Sequence, residues 1–170
     1  MSKILITGRQ GTGKTTVIKE LQNRQFSAYN TDDMIDVTKL QDKVTGEVIA
    51  WPDGAVDWSR YSWNWQKDAL EELLQSDETV FVGGIVSNQT ELYNLFDKIF
   101  VLTITEENVR QRLATHEHET HHMPGELERI AGLHVQKQKE LLAKGGEAVD
   151  GNHPIDQIVD DILSRLNLER

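Results

Sequence analysis

Residues Gly8-Arg9-Gln10-Gly11-Thr12-Gly13-Lys14-Thr15 fit the pattern G-x-x-x-x-G-K-[ST], and no other stretch restricts the fold of this chain as tightly. The apolar run Ile4-Leu5-Ile6 precedes it, and Val17, Ile18 and Leu21 follow at helical spacing, so the loop joins a strand to an amphipathic helix. Glycines there let the backbone turn tightly enough for successive N–H groups to point at one phosphate, and the helix adds the positive end of its dipole. ATP or GTP is the expected ligand. Lys14 would reach the β- and γ-phosphates, and Thr15 would offer its hydroxyl to a Mg²⁺ that keeps most of its waters. Thr16 follows in the first helical turn, so the nucleotide set is Gly8, Gly11, Thr12, Gly13, Lys14, Thr15 and Thr16.

A parallel α/β architecture follows from the alternation of elements. Strand-like segments at 3–7, 26–29, 79–82, 98–103 and 147–150 are separated by helical stretches at 13–24, 58–75, 90–95, 106–115, 124–143 and 155–166. Asp57 and Thr105 read as helix caps. Trp58, Tyr61 and Trp65 fall at i, i+3 and i+7, the stripe of a helix turned to the core. In open parallel sheets ligands gather beyond the carboxyl ends of the strands. The loop after the first strand, Asn30-Thr31-Asp32-Asp33, Gly83-Gly84 and Gly151-Asn152-His153-Pro154 should therefore face one cleft.

At 170 residues the chain has room for one domain, 1–170, with a sizeable core. Its formal charge of -10 opposes binding to a phosphate backbone, so nucleic acid is not an expected partner. There is no cysteine, which removes disulfides and thiolate metal sites. The apolar run after Met1-Ser2-Lys3 is too short for a signal-peptide core and no stretch reaches the length of a membrane span, so a soluble cytoplasmic protein without membrane contact is expected. Oligomeric state is not legible.

The phosphate loop, an Asp after the second strand, the Gly pair, Arg112-Leu113-Ala114-Thr115 and the final strand-turn-Pro-helix together resemble the small kinases related to shikimate, gluconate and adenylate kinases. The resemblance implies a five-stranded parallel sheet of order 2-3-1-4-5, ATP as phosphoryl donor with Mg²⁺, a small-molecule acceptor bound by about 32–78, and a lid over about 115–124. Asn30-x-Asp32 is similar to the D-x-D of shikimate kinase. Asp32 would then be the base that takes the acceptor's proton and, with Thr15, would support the metal. The less favoured reading of Asp32 is as the cap of a helix starting at Asp33.

By the same likeness Arg60 would clamp an acceptor carboxylate, Gly83 and Gly84 would bring backbone close to the substrate, and Asn88 would contact the acceptor. Asn152 and Pro154 would border the nucleotide. Arg112 matches the first arginine of the lid motif R-L-x-x-R, His116 stands where the second belongs, and Arg129 is the preferred replacement for its charge. A metal site in His116-Glu117-His118-Glu119-Thr120-His121-His122 is the less favoured reading of that stretch, against a solvated polar lid.

No acid ends the Val80-Phe81-Val82 strand, which counts against a mechanical ATPase. The expected activity is ATP-dependent phosphoryl transfer to a small-molecule hydroxyl. A nucleoside or nucleoside monophosphate kinase is the alternative, although Arg60 is the one arginine between residues 26 and 85. A non-catalytic ATP-binding module is the other.

Overall fold

The structure is a computed structural model that describes residues 1–76, 78–115 and 126–168. The expected lid, His116 and the histidine-rich stretch lie outside the described residues, apart from Thr115 at the end of a helix.

Five strands form the parallel sheet. They are β1 (Lys3–Thr7), β2 (Ser27–Asn30), β6 (Val80–Gly83), β7 (Lys98–Thr103) and β8 (Glu147–Asp150). Across the sheet the order is β2-β6-β1-β7-β8, which reads 2-3-1-4-5 when these five are counted alone. β1 pairs with β6 from Lys3↔Val80 to Ile6↔Gly83 and with β7 from Ile4↔Lys98 to Thr7↔Val101. Its side chains alternate between two cores, as a strand's must. Ile4 and Ile6 join Val17, Ile18 and Leu21 of α1 (Lys14–Asn23) and Ile158, Val159 and Ile162 of α5 (Ile155–Arg165). Leu5 turns to the opposite face, where Leu70 of α2 (Lys67–Leu73), Leu74, Leu92, Phe96 and Trp65 are buried. α3 (Glu106–Thr115) and α4 (Glu126–Ala143) pack through Ile104, Val109 and Ala131, and the Thr105 hydroxyl caps α3 by accepting from the Asn108 amide at 3.2 Å. Among the described residues no helix is long and apolar enough to cross a membrane.

The segment between β2 and β6 departs from expectation. In place of a helix over 58–75, Tyr61–Trp65 is a strand, β5, with only α2 helical after it. β5 pairs antiparallel with β3 (Thr38–Asp42), which also pairs with β4 (Val48–Ile49), so a small sheet of order β4-β3-β5 is inserted. The aromatic residues at 61, 63 and 65 also repeat with period two, and the strand partners at 38–42 satisfy that period where an isolated helix would leave Trp63 off its apolar stripe. Asp57 accordingly caps a turn, accepting from the Ser59 amide at 3.0 Å, and no helix starts there. The helix expected from Asp33 is a single 3₁₀ turn over Thr31–Asp33, and Gln89–Leu95 is likewise 3₁₀.

Candidate functional site: the phosphate loop and its cavity

Between β1 and α1 the loop adopts the conformation its glycines permit. Gly11 and Gly13 have φ of 84° and 102°, in the left-handed region that favours glycine. A Cβ on Gly8 would lie 2.8 Å from the Thr12 hydroxyl and 2.9 Å from the Leu102 carbonyl, so no side chain fits there. Thr12 closes the loop on itself, its hydroxyl donating to the Arg9 carbonyl at 2.8 Å. Lys14 spans the loop from beneath, its Nζ donating to the carbonyls of Gly8 (2.7 Å) and Arg9 (3.2 Å). Burial pushes its ammonium down to about 8; Asp32 opposes that shift and Arg9 adds to it.

Arg112 ties the loop to the turn after β8 by donating to the carbonyls of Gly11 (2.7 Å) and Gly151 (3.1 Å). On the other flank His134 of α4, 4 % exposed, places Nε2 3.2 Å from the Gln10 carbonyl, while its Nδ1 is buried without a partner. Nothing local in the sequence marks this histidine as part of the loop. Burial holds its imidazole below the ordinary value, the Gln10 carbonyl opposes, and the charges of Arg9, Lys14 and Arg112 add to the lowering.

The folded value of His134 is thus depressed relative to about 6.5 in the unfolded chain. Its contribution to stability is complete above about pH 6.5 and is lost as pH falls through the folded value. The melting temperature of the wild type is therefore expected to fall between pH 7 and pH 5 more steeply than that of His134→Gln, whose amide can still donate to Gln10. Parallel slopes in scanning calorimetry would rule the effect out.

Above the loop lies a cavity of about 1150 Å³. Its nucleotide end is lined by Gly11, Thr12, Gly13, Lys14, Thr15 and Thr16, with Arg112, Gly151, His153 and Pro154. Its other end is lined by Asn30, Asp32, Asp33, Trp51, Trp63 and Ile85. Asp32 is near enough to Lys14 for each charge to offset part of the other's shift. Its Oδ1 is buried without a partner, and burial holds its carboxyl above the usual range. Lys14, the Ile85 amide and the Trp63 indole oppose that rise, and Asp33 adds to it. Asn30 donates through Nδ2 to Asp33 Oδ2 at 2.6 Å and leaves its own Oδ1 buried and unpartnered.

A latch built on Thr31 fixes Asp32. The Thr31 hydroxyl donates to the Gly83 carbonyl (3.0 Å) and accepts from Trp65 Nε1 (2.9 Å), while its carbonyl accepts from the Thr38 hydroxyl (2.6 Å). The ends of β2 and β6 are thereby joined to the inserted sheet.

Several expected site residues serve this framework. Neither Gly83 nor Gly84 lines the cavity: a Cβ on Gly83 would fall 2.5 Å from Ile18 Cγ1, and one on Gly84 2.5 Å from the Thr31 hydroxyl. The glycine pair makes room for α1 and the latch. Asn88 pairs with the backbone of Trp65, accepting its N–H and donating to its carbonyl, both at 3.0 Å. Arg60 binds Asp42 Oδ2 at 3.0 Å with its side chain 63 % exposed and its guanidinium 5.1 Å from the Tyr61 ring centre. It does not reach the cavity, because the strand at 61–65 carries it to the outer turn. Asn152 accepts from the Thr105 amide (3.3 Å) and from Asn108, holding the turn, while its neighbours His153 and Pro154 line the cavity. Arg129 is exposed on α4 and is not among the lining residues. Trp51 and Trp63 fall within the expected acceptor region 32–78 and Thr31 within the loop expected at the cleft, whereas Ile85 and His134 are site residues that the sequence does not single out. The alternation of aromatics through 61, 63 and 65 was the available signal for Trp63.

A loop with left-handed glycines at the carboxyl edge of a parallel sheet, its lysine beneath and a nucleotide-sized cavity above, defines a phosphate-loop α/β protein. Within that class the chain belongs to the AAA domain family, whose model matches residues 4–132. No curated relative matches it. Among solved structures it is similar to a gluconokinase from Sinorhizobium meliloti 1021, at 21% identity and a TM-score of 0.54 over 98% of this chain and 91% of that one. A shikimate kinase from Bacteroides thetaiotaomicron is similar at 16% identity and a TM-score of 0.58, over 98% and 99% of the two chains. The shikimate kinase from Aquifex aeolicus vf5 is similar at 18% identity and a TM-score of 0.59, over 97% and 96%. The fold is that of these small phosphate-loop kinases.

Proposed function

We propose that this protein is a kinase that transfers the γ-phosphoryl group of ATP to a hydroxyl of a small molecule. One observation carries the reading: a buried carboxylate oxygen with no partner, Asp32 Oδ1, shares a single cavity with the phosphate loop and its lysine. The acceptor oxygen would attack the γ-phosphorus, the bond to the ADP oxygen would break, and the hydroxyl proton would pass to Asp32. The kinase folds that this chain resembles support the same assignment.

The residues present suit Mg²⁺, a hard cation taking oxygen ligands, since Thr15, Asp32 and the unpartnered Asn30 Oδ1 all border the cavity. Thr15 and Asp32 would hold it, the latter through water. When bound it would neutralise charge on the phosphates. Lys14 would exchange its loop carbonyls for phosphate oxygens, and Arg112 would keep the loop and the β8–α5 turn in register beside the nucleotide. A nucleoside monophosphate is disfavoured as acceptor, because Arg60 is paired with Asp42 and, among the described residues, the one arginine lining the cavity, Arg112, binds the carbonyls of Gly11 and Gly151.

The test incubates the protein with MgATP and a panel of hydroxyl metabolites, following ADP release and looking for phosphate monoesters by ³¹P NMR. Acceptor-dependent ADP release with a new monoester is expected. Tight ATP binding with no transfer to any acceptor would replace the kinase with a binding module.

A further inference from the structure

Tryptophans on and beside the inserted sheet form a wall. Trp65 fills the core, 2 % exposed, and its indole N–H completes the Thr31 latch. Trp51 is different. It is 57 % exposed, and its ring meets Trp63 edge to face at 5.4 Å and Trp58 at 6.2 Å. Trp51 and Trp63 line the large cavity beside Asp32. The same two indoles also line a second cavity of about 430 Å³ with Thr38, Leu40, Ile49 and Lys39. An apolar wall thus starts next to the candidate base and continues away from the nucleotide. Exposed aromatic surface of this kind marks a recognition site more often than a folding need.

Charge narrows what can sit there. Asp32 and Asp33 line the acceptor end and Asp36 the second cavity, while the cations among the described lining residues are Lys39 of the second cavity and Lys14 and Arg112, which are held by carbonyls of the phosphate loop and the β8–α5 turn. Arg60, the nearby guanidinium, is paired with Asp42 outside both cavities. An anionic acceptor against the tryptophans would meet the like charges of Asp32, Asp33 and Asp36, with the lining cations Lys14 and Arg112 already held at the phosphate loop, whereas an aromatic face attracts rings and cations alike.

We propose that the acceptor is a hydroxyl compound with a planar ring and no anionic group, seated against Trp51 and Trp63 with its hydroxyl towards Asp32. The assignment of this ligand as acceptor rests on the kinase reading; its class rests on the wall and its charges alone.

Calorimetric titration of the protein loaded with a non-hydrolysable ATP analogue and Mg²⁺ tests it. The ring compounds are adenosine, cytidine, pyridoxine and tyramine, and the anionic contrasts are shikimate and D-gluconate. At least one ring compound should bind, at least tenfold more tightly than either carboxylate. Trp51→Ala should weaken that binding by about tenfold, the order expected for a lost aromatic contact, and Trp51→Phe should restore most of it. Trp51 is exposed, so folding of the variants can be checked independently by circular dichroism. Failure of every ring compound to bind, equal binding of a carboxylate, or indifference to Trp51→Ala would overturn the proposal. A ring compound that binds with this Trp51 dependence but receives no phosphoryl group from ATP would overturn the kinase reading and leave the ligand class standing.

Discussion

Asp32→Asn is expected to lower phosphoryl transfer by about 10²–10⁴-fold, the usual contribution of a positioned base, while ATP affinity stays within a few-fold. The substitution keeps the shape of the side chain and the hydrogen bonding open to one oxygen, but removes the group that takes the proton. Wild-type transfer at saturating MgATP should rise with pH as the Asp32 carboxyl ionises, and burial places that rise above the ordinary carboxylate range. The variant should lack this limb. Stability should move the other way. A carboxyl whose folded value is raised favours its protonated form in the fold, so it weakens the native state at every pH above its unfolded value. At pH 7 the asparagine variant should therefore melt higher than the wild type, the signature of a site kept at some cost to the fold. Transfer assays and melting curves on the same preparations check both halves. A variant that transfers as fast as the wild type would remove Asp32 from the chemistry and leave it as a structural acid.

How much of this could be read in the residues depends on how local the cause is. The phosphate loop and the strands around it are local: Ile4-Leu5-Ile6 is buried on both faces, and Gly11 and Gly13 need no distant partner to take positive φ. Five parallel strands were therefore legible, some displaced by one residue, such as Ser27–Asn30 against 26–29.

The inserted sheet was not, because its stabilising contacts join 38–42 to 61–65 across a long loop and outweigh the helical spacing of Trp58, Tyr61 and Trp65. Once that segment became a strand, the role given to Arg60 failed with it. The same distance hid His134, whose contact with Gln10 crosses 124 residues. Gly83 and Gly84 are expected from the sequence to bring backbone close to a substrate, and in the structure each is closely approached by protein atoms instead. Those atoms are Ile18 Cγ1 and the Thr31 hydroxyl, contacts that only the packed structure contains.

Lys14→Ala should weaken ATP binding by about 10- to 100-fold, the range for losing one or two hydrogen bonds to charged groups, without unfolding the protein. Lys14 is 7 % exposed and donates to its own loop, so truncation removes a contact with Gly8 and Arg9 as well as a desolvated ammonium. The second effect is the larger. Depression from 10.5 to about 8 corresponds to roughly 3 kcal/mol held against the charged form. Because the folded value is the lower one, that penalty is complete below about pH 8 and fades as pH rises towards 10.5. Phosphate oxygens would relieve it by pairing with the ammonium, so at pH 8 to 9 ATP binding should draw a proton from solution. Titration calorimetry in two buffers of different ionisation enthalpy measures that uptake directly. Wild-type protein should show it and Lys14→Ala should not, while both retain the same circular dichroism. An alanine variant that binds ATP as tightly as the wild type, with the same proton uptake, would show that the loop holds its ligand through backbone amides alone and that Lys14 serves only to brace Gly8 and Arg9.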